Sequence, residues 1–355
     1  MPVFAPSPGL LKRCGNTVSQ AMALTCLALA AIATPALAEP NTMDALKALA
    51  RAHSAVVGVQ AVVAEGARSA ETLGRSRSGS GVVIGDDGLI LTIGYLTLEA
   101  ERIQITTRDG VKAAGRVVAY DVATGFSLIQ PVLPLPGLKA VPLGDPRLLK
   151  PGDPVIAGYV DSDSAELGGA GLARLVRRKP FSASWEYHLE SALFTTPPVP
   201  QHSGAPLFNQ RGELLGIGSL RLQNTATESR PLPGNLFVPI DLLSPILQEM
   251  RASGSSRLSR RPWLGLNSSE QHGRIQLLSV SKGSPAQGAG LKEGDVILAV
   301  DDAKVTTLEG FYKTLWAHSE ASRPVKLTVL QGADINTVLI DVVERLSTLR
   351  KPGGT

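Results

Sequence analysis

Beyond residue 38 the chain has no cysteine, because Cys14 and Cys26 both precede that point. Disulfide staples, zinc–thiolate centres and a cysteine nucleophile are therefore excluded from residues 39–355. An excess of one charge is also lacking. Subtracting Lys12 and Arg13 takes the 35 basic residues to 33, against 31 acidic, so the net falls from +4 to +2. The basic cluster Arg257-Leu258-Ser259-Arg260-Arg261 has neither an aromatic platform nor a repeated basic stripe, so nucleic acid is not an expected partner. The apolar run from Ala21 to Ile32 is too short to span a bilayer comfortably. It follows the positive pair Lys12-Arg13 and leads into Ala36-Leu37-Ala38, the small residues of a signal-peptidase site. Residues 1–38 thus read as a secretory signal cut after Ala38, with a retained membrane anchor as the alternative. A cysteine-free exported chain suits a bacterial periplasm.

What remains is long enough for two domains. Residues 42–66 begin as an amphipathic helix and pass into a β-rich run at Val56–Val63. Residues 67–80, small, polar and rich in Gly and Ser, read as a mobile loop, as do residues 162–172. Short strands with Asp-Gly turns follow: Gly81–Ile84 and Leu89–Thr92 around Asp87-Gly88, then Arg102–Thr107 and Val111–Tyr120 around Asp109-Gly110. Ala173–Leu193 and Glu213–Leu222 repeat the pattern. This spacing predicts a mainly β barrel or sandwich over 81–252, with the strand at 54–66 included. Pro239–Ala252 carries helical periodicity and ends the domain. A linker at 253–261 leads to a second unit over 262–345, with a disordered tail at 346–355. Within that unit, strands are predicted at Ile275–Val280, Val296–Val300, 324–331 and 336–343, and a helix at Thr307–Ala317.

Several motifs in a fixed order resemble the HtrA (Deg) family of secreted serine proteases over about residues 43–345. They are Gly79-Ser80-Gly81-Val82-Val83-Ile84 with Asp87-Gly88-Leu89-Ile90-Leu91-Thr92, then Val141-Pro142-Leu143-Gly144-Asp145 and Pro151-Gly152-Asp153-Pro154-Val155-Ile156-Ala157. Pro206-Leu207-Phe208-Asn209-Gln210-Arg211-Gly212-Glu213-Leu214-Leu215-Gly216-Ile217 and Phe237-Val238-Pro239 complete the set. The resemblance implies a chymotrypsin/trypsin-like double β-barrel followed by a PDZ domain, no cofactor and no metal, and association as a homo-trimer or with an active paralogue.

The catalytic positions depart from the family pattern. Ser203 stands at the nucleophile, but the family's Thr-Asn-x-His-Val reads Thr92-Ile93-Gly94-Tyr95-Leu96, which puts Tyr95 at the histidine. The family's Asp-x-x-Thr-Asp-Leu-Ala reads Asp121-Val122-Ala123-Thr124-Gly125-Phe126-Ser127, which puts Gly125 at the aspartate. The Gly-Asn-Ser-Gly-Gly turn is Gln201-His202-Ser203-Gly204-Ala205, so Gln201 replaces the glycine whose N–H, with that of Ser203, builds the oxyanion hole. A serine hydroxyl needs a base, and a neutral phenol with a reference pKa of about 10 does not serve as one. Among the other histidines, His202 adjoins Ser203 in a tight turn where neighbouring side chains diverge. His188 lies on a predicted strand, His53 on the solvent face of the first helix, and His272 and His318 in the second domain.

The second domain supplies a different chemistry. Trp263-Leu264-Gly265-Leu266 resembles the loop with which HtrA-type PDZ domains hold a terminal carboxylate through backbone N–H groups. Gly290-Leu291-Lys292-Glu293-Gly294-Asp295-Val296-Ile297 is the second match. Phe311 and Leu315 are candidates for the apolar wall of the peptide groove or for core packing. The expected function is a proteolytically inactive HtrA-like protein that binds C-termini or unfolded segments of envelope proteins, as scaffold, chaperone or regulator. The alternatives are a trypsin-like endopeptidase with a displaced base and a structural subunit of an active paralogue.

Overall fold

The computed structural model describes residues 42–160, 168–226, 231–317 and 323–350. The expected signal segment, residues 161–167, His318 and the last five residues lie outside them. Apolar residues at alternate positions close two six-stranded barrels, as period-two burial requires. The first is built from β1 (Val56–Val63), β2 (Ser76–Val83), β3 (Ile90–Ile93), β4 (Ala100–Thr106), β5 (Lys112–Tyr120) and β6 (Phe126–Pro131), in the closed order β1-β2-β3-β6-β5-β4. The second contains β7 (Pro154–Tyr159), β8 (Gly169–Ala183), β9 (Tyr187–Thr196), β10 (Pro206–Phe208), β11 (Leu214–Leu222) and β12 (Gly234–Pro239), closed as β10-β11-β12-β9-β8-β7. Helix α1 (Thr42–Ser54) precedes them, and two single turns, α2 (Ala70–Leu73) and α3 (Gly94–Thr97), lie between strands of the first barrel.

After α4 (Leu247–Ser253), β13 (Pro262–Trp263) opens the second domain. It pairs at the far end with β20 (Val343–Glu344). Between them β14 (Leu266–Gln271), β15 (Arg274–Val280), β16 (Val296–Val300), β18 (Pro324–Gln331) and β19 (Asp334–Asp341) form one sheet, with β17 (Ala303–Lys304) paired to β16. The helices α5 (Pro285–Gly288) and α6 (Leu308–Trp316) cover it. Thr307 caps α6 by accepting the Gly310 N–H. Leu264, Leu266, Phe311, Tyr312 and Leu315 share one core with Ile275, Ile297 and Leu327.

Four expectations need correction. The 67–80 stretch is not a loop: β2 starts at Ser76, and Arg77 is buried there with its guanidinium donating to the carbonyls of Gly74, Tyr95 and Leu98 and to Ser69 Oγ. A buried cation with four acceptors orders a polar segment that composition alone reads as mobile. Of the described residues in 162–172, those from Gly169 to Leu172 belong to β8. The 239–252 helix is a 3-10 turn (Ile240–Leu242) followed by α4, because Pro245 cannot donate in the middle of the run. The tail is ordered to residue 350. Its Arg350 N–H donates to Glu99 Oε1 (3.0 Å) and its guanidinium to the Glu65 carbonyl (2.7 Å), binding the end of the chain to the first barrel.

The 253–261 linker is likewise fastened. Asp121, fully buried, accepts from the Thr124 N–H (2.8 Å) and hydroxyl (2.7 Å) and from the hydroxyls of Ser256 and Ser259. One carboxylate therefore ties the connector to the β5–β6 turn.

Candidate active site and peptide groove

The Ser203 turn is held by backbone on both sides. Ser80 N–H donates to the Ser203 carbonyl (2.8 Å), Gly204 N–H to Gly218 (2.9 Å), and Gly218 N–H to Ala205 (2.8 Å). Gly204 has φ +71°, and a Cβ built on it would lie 2.0 Å from the Ser80 carbonyl oxygen. Only glycine fits there, so the family's glycine after the serine is retained for steric reasons. Gln201, at the other end of the turn, is exposed.

Tyr95, expected at the histidine position, sits on α3. Its hydroxyl donates to the Ser219 carbonyl (3.0 Å) and is in hydrogen-bonding contact with Ser203. Burial pushes the phenol up to about 12, partly offset by the Ser203 contact. The Ser203 hydroxyl therefore meets a neutral phenol whose own proton is already engaged, and that oxygen is too weak a base to take a second one. The third position is closed as well as empty of charge. Gly125 has φ +80°, and a Cβ on it would stand 3.2 Å from Tyr187 Oη. Tyr187 donates to the neighbouring Thr124 carbonyl (2.6 Å), and burial raises its phenol well above the ordinary value.

Three other histidines are engaged elsewhere. His202 Nδ1 donates to its own Pro200 carbonyl (3.0 Å), and burial lowers the ring below its usual value. His53 is half-buried rather than solvent-facing: its Nε2 donates to the Gly169 carbonyl (3.0 Å), and Arg108 packs against it. His188 is buried on β9, with Nδ1 paired to Ser182 Oγ (2.9 Å) and Nε2 3.5 Å from Glu190. His188, Glu190 and Glu309 bring ligand-type atoms within 4.8 Å of one another, but Lys313 already bridges the two carboxylates at 2.8 and 2.7 Å.

In the second domain Trp263, Leu264, Gly265 and Leu266 form a tight loop between β13 and β14. Gly265 has φ +87°, and a Cβ on it would come 2.2 Å from Ser284 Cβ. The N–H groups of Leu264, Gly265 and Leu266 converge on one carboxylate, that of Glu186: Leu264 to Oε1 (2.9 Å), Gly265 and Leu266 to Oε2 (2.8 and 3.0 Å). Glu186 lies in the β8–β9 turn of the second barrel, is 5% exposed and has φ +55°. The chain on either side completes the fit. Ser268 N–H, from β14, donates to the Ser184 carbonyl (2.8 Å). Tyr312 of α6 donates to the Ala183 and Ser184 carbonyls (2.7 and 3.2 Å) and accepts the Glu186 N–H (3.2 Å). Burial raises the Glu186 carboxyl, while the three N–H groups and nearby Arg345 pull it back.

Trp263, Leu264 and Leu266 are buried beside this contact, and Phe311 and Leu315 are wholly buried in the domain's core. Sequence reasoning missed Glu186 and Tyr312. A Glu in a hairpin turn has no local signature for a partner 79 residues away, and a Tyr on an amphipathic helix reads as core.

Residues 79–217 match the trypsin-like peptidase domain and residues 262–342 the PDZ domain. The serine endoprotease DegS of Haemophilus influenzae is 26% identical over 272 residues, which cover 75% of this chain and 77% of DegS. A Halomonas elongata protein named "Probable periplasmic serine endoprotease DegP-like" is 26% identical over 295 residues, and the chain spans only 59% of its length. Among solved structures, the HtrA-type protease AlgW with tripeptide superposes with a TM-score of 0.52 at 20% identity, over 89% of this chain and 100% of that one. Among the described residues no helix is long and apolar enough to cross a membrane. The chain carries a trypsin-like peptidase domain followed by a PDZ domain, and it is similar to serine proteases of the HtrA/Deg type.

Proposed function

We propose that this HtrA-type chain is proteolytically inactive and acts in the periplasm by binding C-terminal or unfolded peptide segments through its PDZ domain, as a scaffold or regulator. The observation that carries the first half is the partner of Ser203: a neutral tyrosine hydroxyl where acyl transfer requires a base. Loss of one triad member costs about four decades of rate or more, and two are replaced in this chain. What weighs against a displaced base is that the group in hydrogen-bonding contact with Ser203 is Tyr95, whereas His202 turns its Nδ1 to the Pro200 carbonyl. The second half is supported by the three convergent N–H groups of Leu264, Gly265 and Leu266, a geometry suited to a terminal carboxylate. Envelope proteins with exposed C-termini fit that chemistry, and a homo-trimer or assembly with an active paralogue is the proposed setting.

The test uses the exported chain and its Ser203→Ala variant with unfolded casein and a fluorophosphonate probe. Neither cleavage nor labelling is expected from either. Casein cleavage or probe labelling that disappears with Ser203→Ala would establish the endopeptidase reading instead.

A further inference from the structure

The β8–β9 turn occupies its own chain's PDZ groove as a peptide would. A peptide bound by strand addition runs along the second strand of the domain and ends with its carboxylate on the loop before that strand. Here Ser184 takes the strand contact, through its carbonyl and the Ser268 N–H of β14. Two residues on, Glu186 delivers a carboxylate to the three N–H groups of the loop. The opposite wall, α6, closes over the turn through Tyr312, which bonds to Ala183, Ser184 and Glu186. The cavity that remains beside Glu186, lined among others by Trp263, Trp316 and Arg345, is about 10 Å³. That is room for about one water and not for a side chain.

Two features mark the turn as more than a fortuitous neighbour. Glu186 is held at φ +55°, a left-handed backbone conformation that strains a residue with a side chain, and its contacts hold it there. The charge is also matched along the junction: Lys313 of α6 bridges Glu190 of β9 and Glu309 of its own helix.

We infer that residues 183–186 are the resident ligand of the PDZ groove, with the Glu186 side chain standing in for a terminal carboxylate, so that an outside C-terminus binds only by displacing them. The inference rests on the proposal that the groove captures free C-termini. Its physical content is competition. If the closed form outnumbers the open one by about ten to one or more, the apparent affinity for an outside peptide falls by the same factor.

The experiment titrates fluorescently labelled heptapeptides ending in Val, Leu or Phe, as free acids and as amides, into the full chain and into Glu186→Gln and Glu186→Ala. Gln keeps the size but turns an amide NH₂ toward the donors, and Ala removes the group. Both variants are expected to bind a free-acid peptide about tenfold or more tighter than the unsubstituted chain, and to ignore the amide. Equal affinity of all three proteins for the free acid would overturn the resident-ligand inference and leave carboxylate capture standing. Equal affinity for acid and amide, or no binding by any protein, would overturn carboxylate capture itself. A second measurement needs no variant: amide hydrogen exchange at residues 183–187 of the unsubstituted chain should rise at saturating peptide. Unchanged exchange with peptide bound would again overturn the inference.

Discussion

Writing an aspartate back at position 125 should damage this barrel rather than repair a triad. Gly125 sits at φ +80°, where Asp is tolerated at a cost of about 1 kcal/mol. Its new Cβ would meet Tyr187 Oη at 3.2 Å, closer than an ordinary carbon–oxygen contact. Tyr187 is anchored by its bond to the Thr124 carbonyl, so yielding means repacking or losing that bond, about 1–3 kcal/mol more. Gly125→Asp should therefore destabilise by about 2–4 kcal/mol, a drop in Tm of about 5–15 °C by calorimetry. The companion change Tyr187→Phe deletes the oxygen in the way. In a double-mutant cycle the two should couple favourably by about 1 kcal/mol or more. Activity supplies a second readout: Tyr95→His with Gly125→Asp should leave casein hydrolysis at background. A Gly125→Asp variant as stable as the parent would refute the steric argument. Hydrolysis by the pair Tyr95→His/Gly125→Asp would refute the claim that the site is closed.

Asp121→Ala should cost about 3–5 kcal/mol in urea unfolding, because it strands the donors of Thr124, Ser256 and Ser259, and exchange should rise across 253–261. Gly204→Ala should cost at least about 3 kcal/mol by the same assay, since its Cβ falls 2.0 Å from the Ser80 carbonyl; a near-neutral result would refute the assigned packing. Burial holds the His188 ring below its unfolded value of about 6.5, against the opposing pull of Glu190 and Glu309, so the unfolded chain takes up the proton first as pH falls. His188 should therefore make stability decline on acidification from about pH 6.5 downward, and His188→Gln should lessen that decline between pH 7.5 and 5.5.

Most of the barrel was legible because period-two burial and Asp-Gly turns are local signals. β1 and β11 fall where the apolar runs predict them, and two residues singled out by the motif order, Tyr95 and Ser203, come into hydrogen-bonding contact. What escaped was held by contacts distant in sequence. Arg77 orders a Gly/Ser-rich stretch through carbonyls up to 21 residues away, and Arg350 fixes the tail 251 residues from Glu99. The loop at Trp263-Leu264-Gly265-Leu266 was marked by its motif, whereas the Glu186 carboxylate that meets it was not, since nothing in Ser184-Trp185-Glu186 marks a turn that will meet another domain.

The fastening of Arg350 to Glu65 and Glu99 has a kinetic consequence for that groove. It acts as a tether, so a PDZ domain that has let go of Glu186 is still attached on two sides, by the connector at Asp121 and by the tail. The released turn then stays at an effective concentration of about millimolar or more, the range reached by short intramolecular links. A dilute C-terminus meets the groove only in brief openings, while a partner that presents many copies, or an unfolded chain held nearby, competes on equal terms. On the proposed reading, the groove answers clustered or locally concentrated C-termini ahead of single dilute ones. Truncation before Arg350 would lower the threshold.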